Sequence, residues 1–422
     1  MRIAMNHNRK LSLFRYHAEI IKFGGACLVP FLALAGNVAA DGALVLTILI
    51  YFFTSEAPYL ACLKERIFQL SLLFWIWILM MSAISATPQQ SFQDSLPWIR
   101  FPLYAFSLSM ILTTMERKNL KVCFYAACLA TTIELGALFI EYFFIRSPET
   151  TRLYGTFSKL IPGWYLACFG LLTGLIFLEI FLTQALKTNS SILGIFYVCM
   201  CSVGIFMTGE IMMMIFFFGT IAVFFSTYIL GKPKIFLLIL LLISFLSLIF
   251  IFDDPLRSRI LFAFEKRIPW YESSDYYPAW KMGLMTFIEN PFFGVGPKNI
   301  NSYCEGLKQT MTLTQTLGLE QCLWHPHNLY LQIAAETGVI GLLIFIIIAG
   351  SLIIRAAKLK WSGGSAIPLS ILIISFFPIQ TYSQAFGQSK NFFLWTTIGI
   401  ALSFIYNHKE FYPLRDMNKE IS

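Results

Sequence analysis

Long apolar runs separated by short polar intervals set the plan of this chain. The runs lie near residues 23–38, 41–55, 67–85, 101–115, 122–144, 164–184, 191–208, 211–229, 235–252, 328–353, 366–382 and 391–406. They approach or exceed the roughly 20 residues that a helix needs to cross a bilayer. None alternates with period two, which excludes a β-barrel. The pattern predicts an all-α, polytopic membrane protein with about twelve transmembrane helices. One polar interval, 253–327, is far longer than the others, and loops of that length rarely serve only as connectors. Inside it, residues 276–290 recur apolar at helical spacing and predict an amphipathic helix on the membrane surface or over a cavity. The chain then divides into a membrane bundle of about nine helices over 1–252, a large, partly helical loop over 253–327, and about three further helices with a tail over 328–422.

Composition sharpens the class. The chain is 57% hydrophobic and only 13% charged, where soluble domains carry about 25% charged residues. Its net charge of +8 reads as orientation rather than as a nucleic-acid footprint, because basic residues flank membrane spans on the cytoplasmic side. Segments 1–22, 56–66, 116–121, 185–190, 230–234, 354–365 and 407–422 hold nineteen Lys and Arg, against five in the short loops of the opposite side. Both termini are therefore expected in the cytoplasm, with 253–327 outside, which is the periplasm if the cell is Gram-negative. No cleavable signal peptide is evident, since a basic stretch leads through the first apolar run straight into a second.

Polar chemistry gathers on the outward side. His325-Pro326-His327-Asn328 stands immediately before the tenth apolar run, although the chain has only five histidines. Asn328 is an N-cap candidate for the helix that follows. His327 would sit at the positive end of that helix, which favours neutral imidazole, a competent general base, and also attracts phosphate. The bland alternative is a pair of interfacial histidines with satisfied hydrogen bonds. Gly338 and Gly341 share one face and would let a neighbouring helix approach. Glu210, on the tight turn Thr208-Gly209-Glu210, reads equally as a group orienting a base or sugar hydroxyl and as a solvated turn residue. Glu134 and Glu179 fall within apolar runs, and Glu336 lies inside the tenth, where it should hydrogen-bond within the bundle. Trp164 and Tyr165 fit an interfacial aromatic belt. Most of the nine cysteines lie in apolar runs, but Cys304 and Cys322 lie in the long loop, where they could pair if it is outside the cytoplasm.

The order of these features resembles the O-antigen ligase family, part of the O-antigen ligase and polymerase superfamily of membrane glycosyltransferases. His327-Asn328 followed by Gly338-Val-Ile-Gly341 is similar to its signature. "NPFFGVGPKNI" at 290–300, then Cys304, Cys322 and "HPHNLYLQIAAETG", resembles the large periplasmic loop of ligases. "RLYGTFSKLIPGW" at 152–164 and "FPIQTYSQAFGQSKNFFLW" at 377–395 resemble further ligase segments. The resemblance implies an inverting, metal-independent enzyme without a cofactor, acting at the periplasmic face of the inner membrane. It would take a glycan from undecaprenyl diphosphate and pass it to a lipid A-core acceptor, with membrane lipids as its surroundings and no nucleic-acid partner. His327 corresponds to the family histidine that activates or orients the acceptor hydroxyl, with Glu210 beside it as a second catalytic candidate. Arg152, Lys298 and Arg100, with His325 and Asn328, are the candidates for substrate contact. One departure stands out. Where the family commonly has Thr-Gly-Glu-Arg, this chain has Thr208-Gly209-Glu210-Ile211, so a family arginine is aliphatic here and transfer needs another source of positive charge. A polymerase of the same superfamily is the nearest alternative, and a non-catalytic or transporter-like relative the next.

Overall fold

A computed structural model of the chain describes residues 2–55, 58–146, 153–155, 162–183, 189–228, 254, 257–258, 261–262, 274, 276–309, 322, 325–378, 385–387 and 389–406. Among these residues the fold is all-helical, with no strand. The helices are α1 (Arg2–Leu34), α2 (Asn37–Thr54), α3 (Pro58–Lys64), α4 (Arg66–Ile84), α5 (Pro88–Ser95), α6 (Arg100–Thr114) and α7 (Arg117–Ile140). They continue with α8 (Pro162–Tyr165), which passes through a π-helical segment, Leu166–Gly170, into α9 (Leu171–Thr183), then α10 (Asn189–Met207) and α11 (Ile211–Ser226). In the loop region stand α12 (Tyr277–Glu289) and α13 (Ile300–Gln309), followed by α14 (Leu329–Trp361), α15 (Ile367–Ser375) and α16 (Ser389–Tyr406).

Each apolar run that is described contains a helix; the expected span at 235–252 lies outside the described residues. Six stretches among those described are long and apolar enough to cross a membrane: Tyr16–Leu34, Asn37–Thr54, Arg66–Ile84, Arg117–Ile145, Pro162–Ile180 and Leu329–Trp361. The run at 366–382 yields only the nine-residue α15. Pro368 sits in that helix's first turn, where a missing N–H costs nothing, and the helix ends before Phe377 and Pro378.

Packing assembles these helices around one large core. α6 lies along α16, α4 along α14, α1 against α2 and α7, and α11 against α15. Tyr104, Phe74, Phe217, Phe224 and Phe392 are fully buried at its centre. The buried Tyr104 hydroxyl exchanges a 2.9 Å hydrogen bond with Thr396, satisfying both groups. Tyr165, only 3% exposed, belongs to this core. That corrects the expectation of an aromatic belt at this residue: its ring turns inward off the helix, against Phe169.

A smaller core joins the loop to the bundle. Met282 of α12, with Ile300 and Cys304 of α13, closes on Ala335 of α14. The amphipathic helix expected at 276–290 is α12. It buries Ala279, Met282, Gly283 and Thr286 and packs on α14. A Cβ on Gly283 would come within 2.7 Å of Pro326 and 2.9 Å of Leu331, so glycine lets α12 lie directly over the His-Pro-His stretch. Cys304 and Cys322 are disulfide-bonded, which ties α13 to the approach to the histidines.

Candidate active site

The histidines stand where α14 begins. Asn328 is the N-cap in an extended conformation, and its side-chain oxygen accepts a hydrogen bond from Leu331 N at 2.9 Å. Its Nδ2 donates to Pro378 O at 2.7 Å, fastening the cap to the end of α15. One residue earlier, His327 has φ 51°, in the left-handed region. Such a conformation costs a non-glycine residue on the order of 1–3 kcal/mol and concentrates at functional sites. The strained turn directs the His327 ring against two others: its centroid is 4.7 Å from that of Tyr276 and 4.2 Å from that of His325.

His325 is held in its neutral form. Burial is the main cause, and the positive charge of Lys390 adds to it; together they pull its pKa down to about 4. Both ring nitrogens are buried and lack a hydrogen-bond partner among the described residues. A buried polar atom left unpaired costs about 1–3 kcal/mol, so a histidine kept this way invites a functional explanation.

The same helix is broken nearly three turns further on. Gly338 has φ 69° and ψ −174°, a conformation open in practice only to glycine, and α14 kinks there. The segment 290–299 docks into the kink by main-chain hydrogen bonds. Val295 N donates to Ala335 O (3.0 Å), Gly296 N to Glu336 O (2.9 Å) and Val339 N to Pro291 O (2.8 Å). A Cβ on Gly338 would fall 2.0 Å from Phe292 O, and one on Gly294 2.4 Å from the carbonyl carbon of Glu336. This corrects the expectation for Gly338: what approaches it is the Phe292–Phe293 backbone, not a neighbouring helix. Gly341 does face a helix, since its Cβ would meet Trp77 of α4 at 3.1 Å. Trp77 also closes the kink by donating Nε1–H to Thr337 O at 2.9 Å.

Along the buried face of α14, Asn328, Gln332 and Glu336 line up at four-residue spacing. Gln332 donates to Glu336 Oε1 at 3.1 Å and accepts from Ala385 N at 2.7 Å. Glu336 thus bonds within the bundle, as expected of a carboxyl inside a span.

Two of the expected cations prove to be engaged with acids. Lys298, with φ 62°, lies 3.2 Å from Asp94 of α5. Arg100 lies 3.8 Å from Asp41 of α2 and over the Phe101 ring at 5.0 Å, contacts that tie it to the α2–α6 pair. Arg152 lies outside the described residues. Beside that segment, Glu141 accepts from Tyr154 N and Gly155 N, both at 2.8 Å through its Oε2. Glu134, 4% exposed, presses against Gly155, whose Cβ would meet its carboxylate at 2.1 Å. Glu179 belongs elsewhere: it accepts from Ser365 Oγ and Ala366 N and so anchors the start of α15.

Glu210 caps the tight turn, where Gly209 takes φ 64°, but it is not a solvated turn residue. It is 9% exposed, and its Oε2 would lie 3.0 Å from a Cβ on Gly163. The next residue, Trp164, carries the ammonium of Lys390 over its ring at 5.1 Å. Lys390 is the residue that sequence reasoning missed. It occurs in one of the quoted segments and on the predicted outward side, yet a single Lys near a helix start reads as an interfacial anchor. Beneath Trp164 an apolar crevice opens between the π-helical segment, α11, α15 and α16, lined by Cys168, Met213, Phe216, Phe393 and Thr397. Among the described residues no group of three or more His, Cys, Asp or Glu is arranged to hold a metal ion.

The fold and site together define a class: a multi-helix membrane protein whose long loop is braced on a kinked helix that begins at two histidines. Within that class, residues 195–346 match the family model for O-antigen ligase. The match takes in most of α10, with Glu210, α11, the large loop, both histidines and the kink, and it supports membership of the O-antigen ligase family, a class of glycosyltransferase-like membrane enzymes. No curated protein matches the chain.

Proposed function

We propose that this protein is an O-antigen ligase-type glycosyltransferase, moving a glycan from undecaprenyl diphosphate to a lipid A-core acceptor. His327 carries the reading: it is held in a strained turn at a helix N-terminus, ring to ring with Tyr276 and the neutral His325. In the reaction His327 takes the proton of the acceptor hydroxyl as that oxygen attacks the anomeric carbon. The new C–O bond forms on the face opposite the leaving group, the bond to the diphosphate breaks, and undecaprenyl diphosphate departs with the electron pair. The product is therefore inverted, and positive side chains rather than a metal stabilise the departing charge. Glu210 takes the second catalytic role, orienting a sugar hydroxyl, while His325 and Asn328 shape the acceptor side.

The topology that serves this chemistry has about twelve spans, with both termini in the cytoplasm and the loop 253–327 in the periplasm. Residues 1–252, 253–327 and 328–422 form its three parts. The disulfide between Cys304 and Cys322 supports an oxidising compartment for that loop.

Reconstituted protein supplied with undecaprenyl-diphosphate-linked glycan and lipid A-core tests the reading. Glycan should appear on lipid A-core with the wild type and be lost with His327→Ala. Chains that lengthen while still on the carrier lipid would make the protein a polymerase. No transfer of either kind from correctly inserted protein would overturn the assignment.

A further inference from the structure

We propose that the large loop is anchored in the bilayer: Leu284 and Ile288 of α12, with the Phe292–Phe293 tip, insert among lipid acyl chains beside α4 and α14. The partner is phospholipid of the leaflet on the histidine side, whichever glycan the protein moves.

Helix geometry sets the depth of this tip. From Gly338 to Lys358, α14 runs 20 residues, about 30 Å and so about the thickness of the hydrocarbon core. Lys358 and Lys360 end the helix at one boundary, which leaves Gly338 at the other. The Phe292–Phe293 backbone crowds Gly338, so the tip lies at that boundary and not out in water. α12 descends to it alongside α14. Gly283 lies against Leu331, which is about 10 Å of helix above the kink.

The side that α12 turns away from α14 is apolar. Ala279, Met282, Gly283 and Thr286 take the packing, while Leu284, Ile288, Phe292 and Phe293 are each 50–63% exposed. Lys281 stands one turn above Leu284 on the same side of the helix. Its ammonium, 5.9 Å from the Tyr277 ring centroid, can snorkel to lipid phosphates while its stem stays on apolar surface.

An exposed apolar patch of this kind needs a cover, and here it continues the lipid-facing side of a membrane span. Phe293 stacks on Trp77 of α4 at 6.1 Å. Trp77 shares its helix face with Leu73, Met80 and Ile84, all more than half exposed, and α4 is long and apolar enough to cross a membrane. The lipid that covers this face of α4 therefore reaches the tip. An apolar helix side with a lysine at its upper rim and phenylalanines at its foot is the pattern of interfacial insertion.

Photo-crosslinking reads the cover directly. The crosslinking residue p-benzoylphenylalanine would replace Ile288 or Phe292 in the full chain, in nanodiscs of phosphatidylethanolamine and phosphatidylglycerol. Met80, on the exposed side of α4, is the positive control. Gly306, on the polar helix α13 with nothing within 4 Å of a built Cβ, is the negative one. After irradiation, intact-protein masses should show phospholipid adducts in place of Ile288 and of Phe292, in yields matching Met80, and none at Gly306. An intact Cys304–Cys322 bridge and a monodisperse elution profile would establish that each protein is folded. Unmodified protein at both test positions while the Met80 position reacts would put this face in water and overturn the anchor. Crosslinks there to protein instead of lipid, in native membranes, would give the face to a protein partner and overturn it equally.

Discussion

Replacing Gly338 by alanine should cost this protein far more than its size suggests. The residue sits at φ 69° and ψ −174°, a region essentially closed to side chains, with a penalty on the order of 1–3 kcal/mol. The added methyl would also fall 2.0 Å from Phe292 O, where real atoms cannot go, so the 290–299 segment must lift away. Three main-chain hydrogen bonds hold that segment to α14, each worth about 0.5–1.5 kcal/mol net. Losing half of that alongside the strain gives a destabilisation of about 2–5 kcal/mol. The control lies in the same helix: Gly350 has no atom within 4 Å of a built Cβ, and Gly350→Ala should be neutral or gain up to about 1 kcal/mol from helix propensity. Thermal unfolding of both variants in detergent, followed by intrinsic fluorescence, makes the comparison directly. Equal midpoints for the two alanine variants would refute the kink as a designed break. Transfer should fail in Gly338→Ala below its melting point, because the same kink sets the position of the histidine turn.

Three other outcomes follow from the geometry. Reducing the Cys304–Cys322 bridge, which closes an 18-residue separation, should cost about 3 kcal/mol; an unchanged melting curve with and without reductant would show that the bridge does not stabilise the native loop. Asn328→Ala removes the cap to Leu331 N and strands Pro378 O, so a loss of about 1–2 kcal/mol is expected from denaturant or thermal titration. His325 makes the protein acid-sensitive. With its pKa lowered from 6.5 to about 4, the unfolded chain binds a proton that the folded one refuses, so stability present above pH 6.5 falls as pH drops towards 4 and then levels off. His325→Phe should flatten that slope between the two values, and Lys390→Gln should raise the histidine's pKa in an NMR titration.

Where the sequence was legible, a local rule governed. Apolar runs gave the helices, because burying main-chain polar groups in lipid leaves a continuous run no other structure. Asn328 could be read as a cap since a polar residue directly precedes an apolar run, and α12 by its period. What could not be read depended on a distant partner. Gly338 within an apolar helix looks like any small residue at a packing face; its positive φ exists only because 290–299 docks there. Nothing near Lys298 or Arg100 in the chain announces Asp94 or Asp41. Glu210 could be read equally as a solvated turn residue because Gly163, which its carboxylate lies against, comes from a different segment. Lys390 was passed over because a lone lysine beside a span is ordinary until Trp164 and His325 are seen around it.

The break at Gly338 also divides labour along α14. The long part beyond it, up to Trp361, must follow the bilayer, tilting as lipid thickness changes. The short part from Leu329 to Thr337 is clamped by Pro291–Gly296 on one side and by Trp77 on the other. Glycine at the junction sets a fixed angle between a rod that lies along the bilayer and a turn that follows the loop. On the proposed transfer role, the histidine turn takes its position from the 290–299 segment and Trp77 rather than from the tilt of the rod, so transfer should persist in membranes of different thickness.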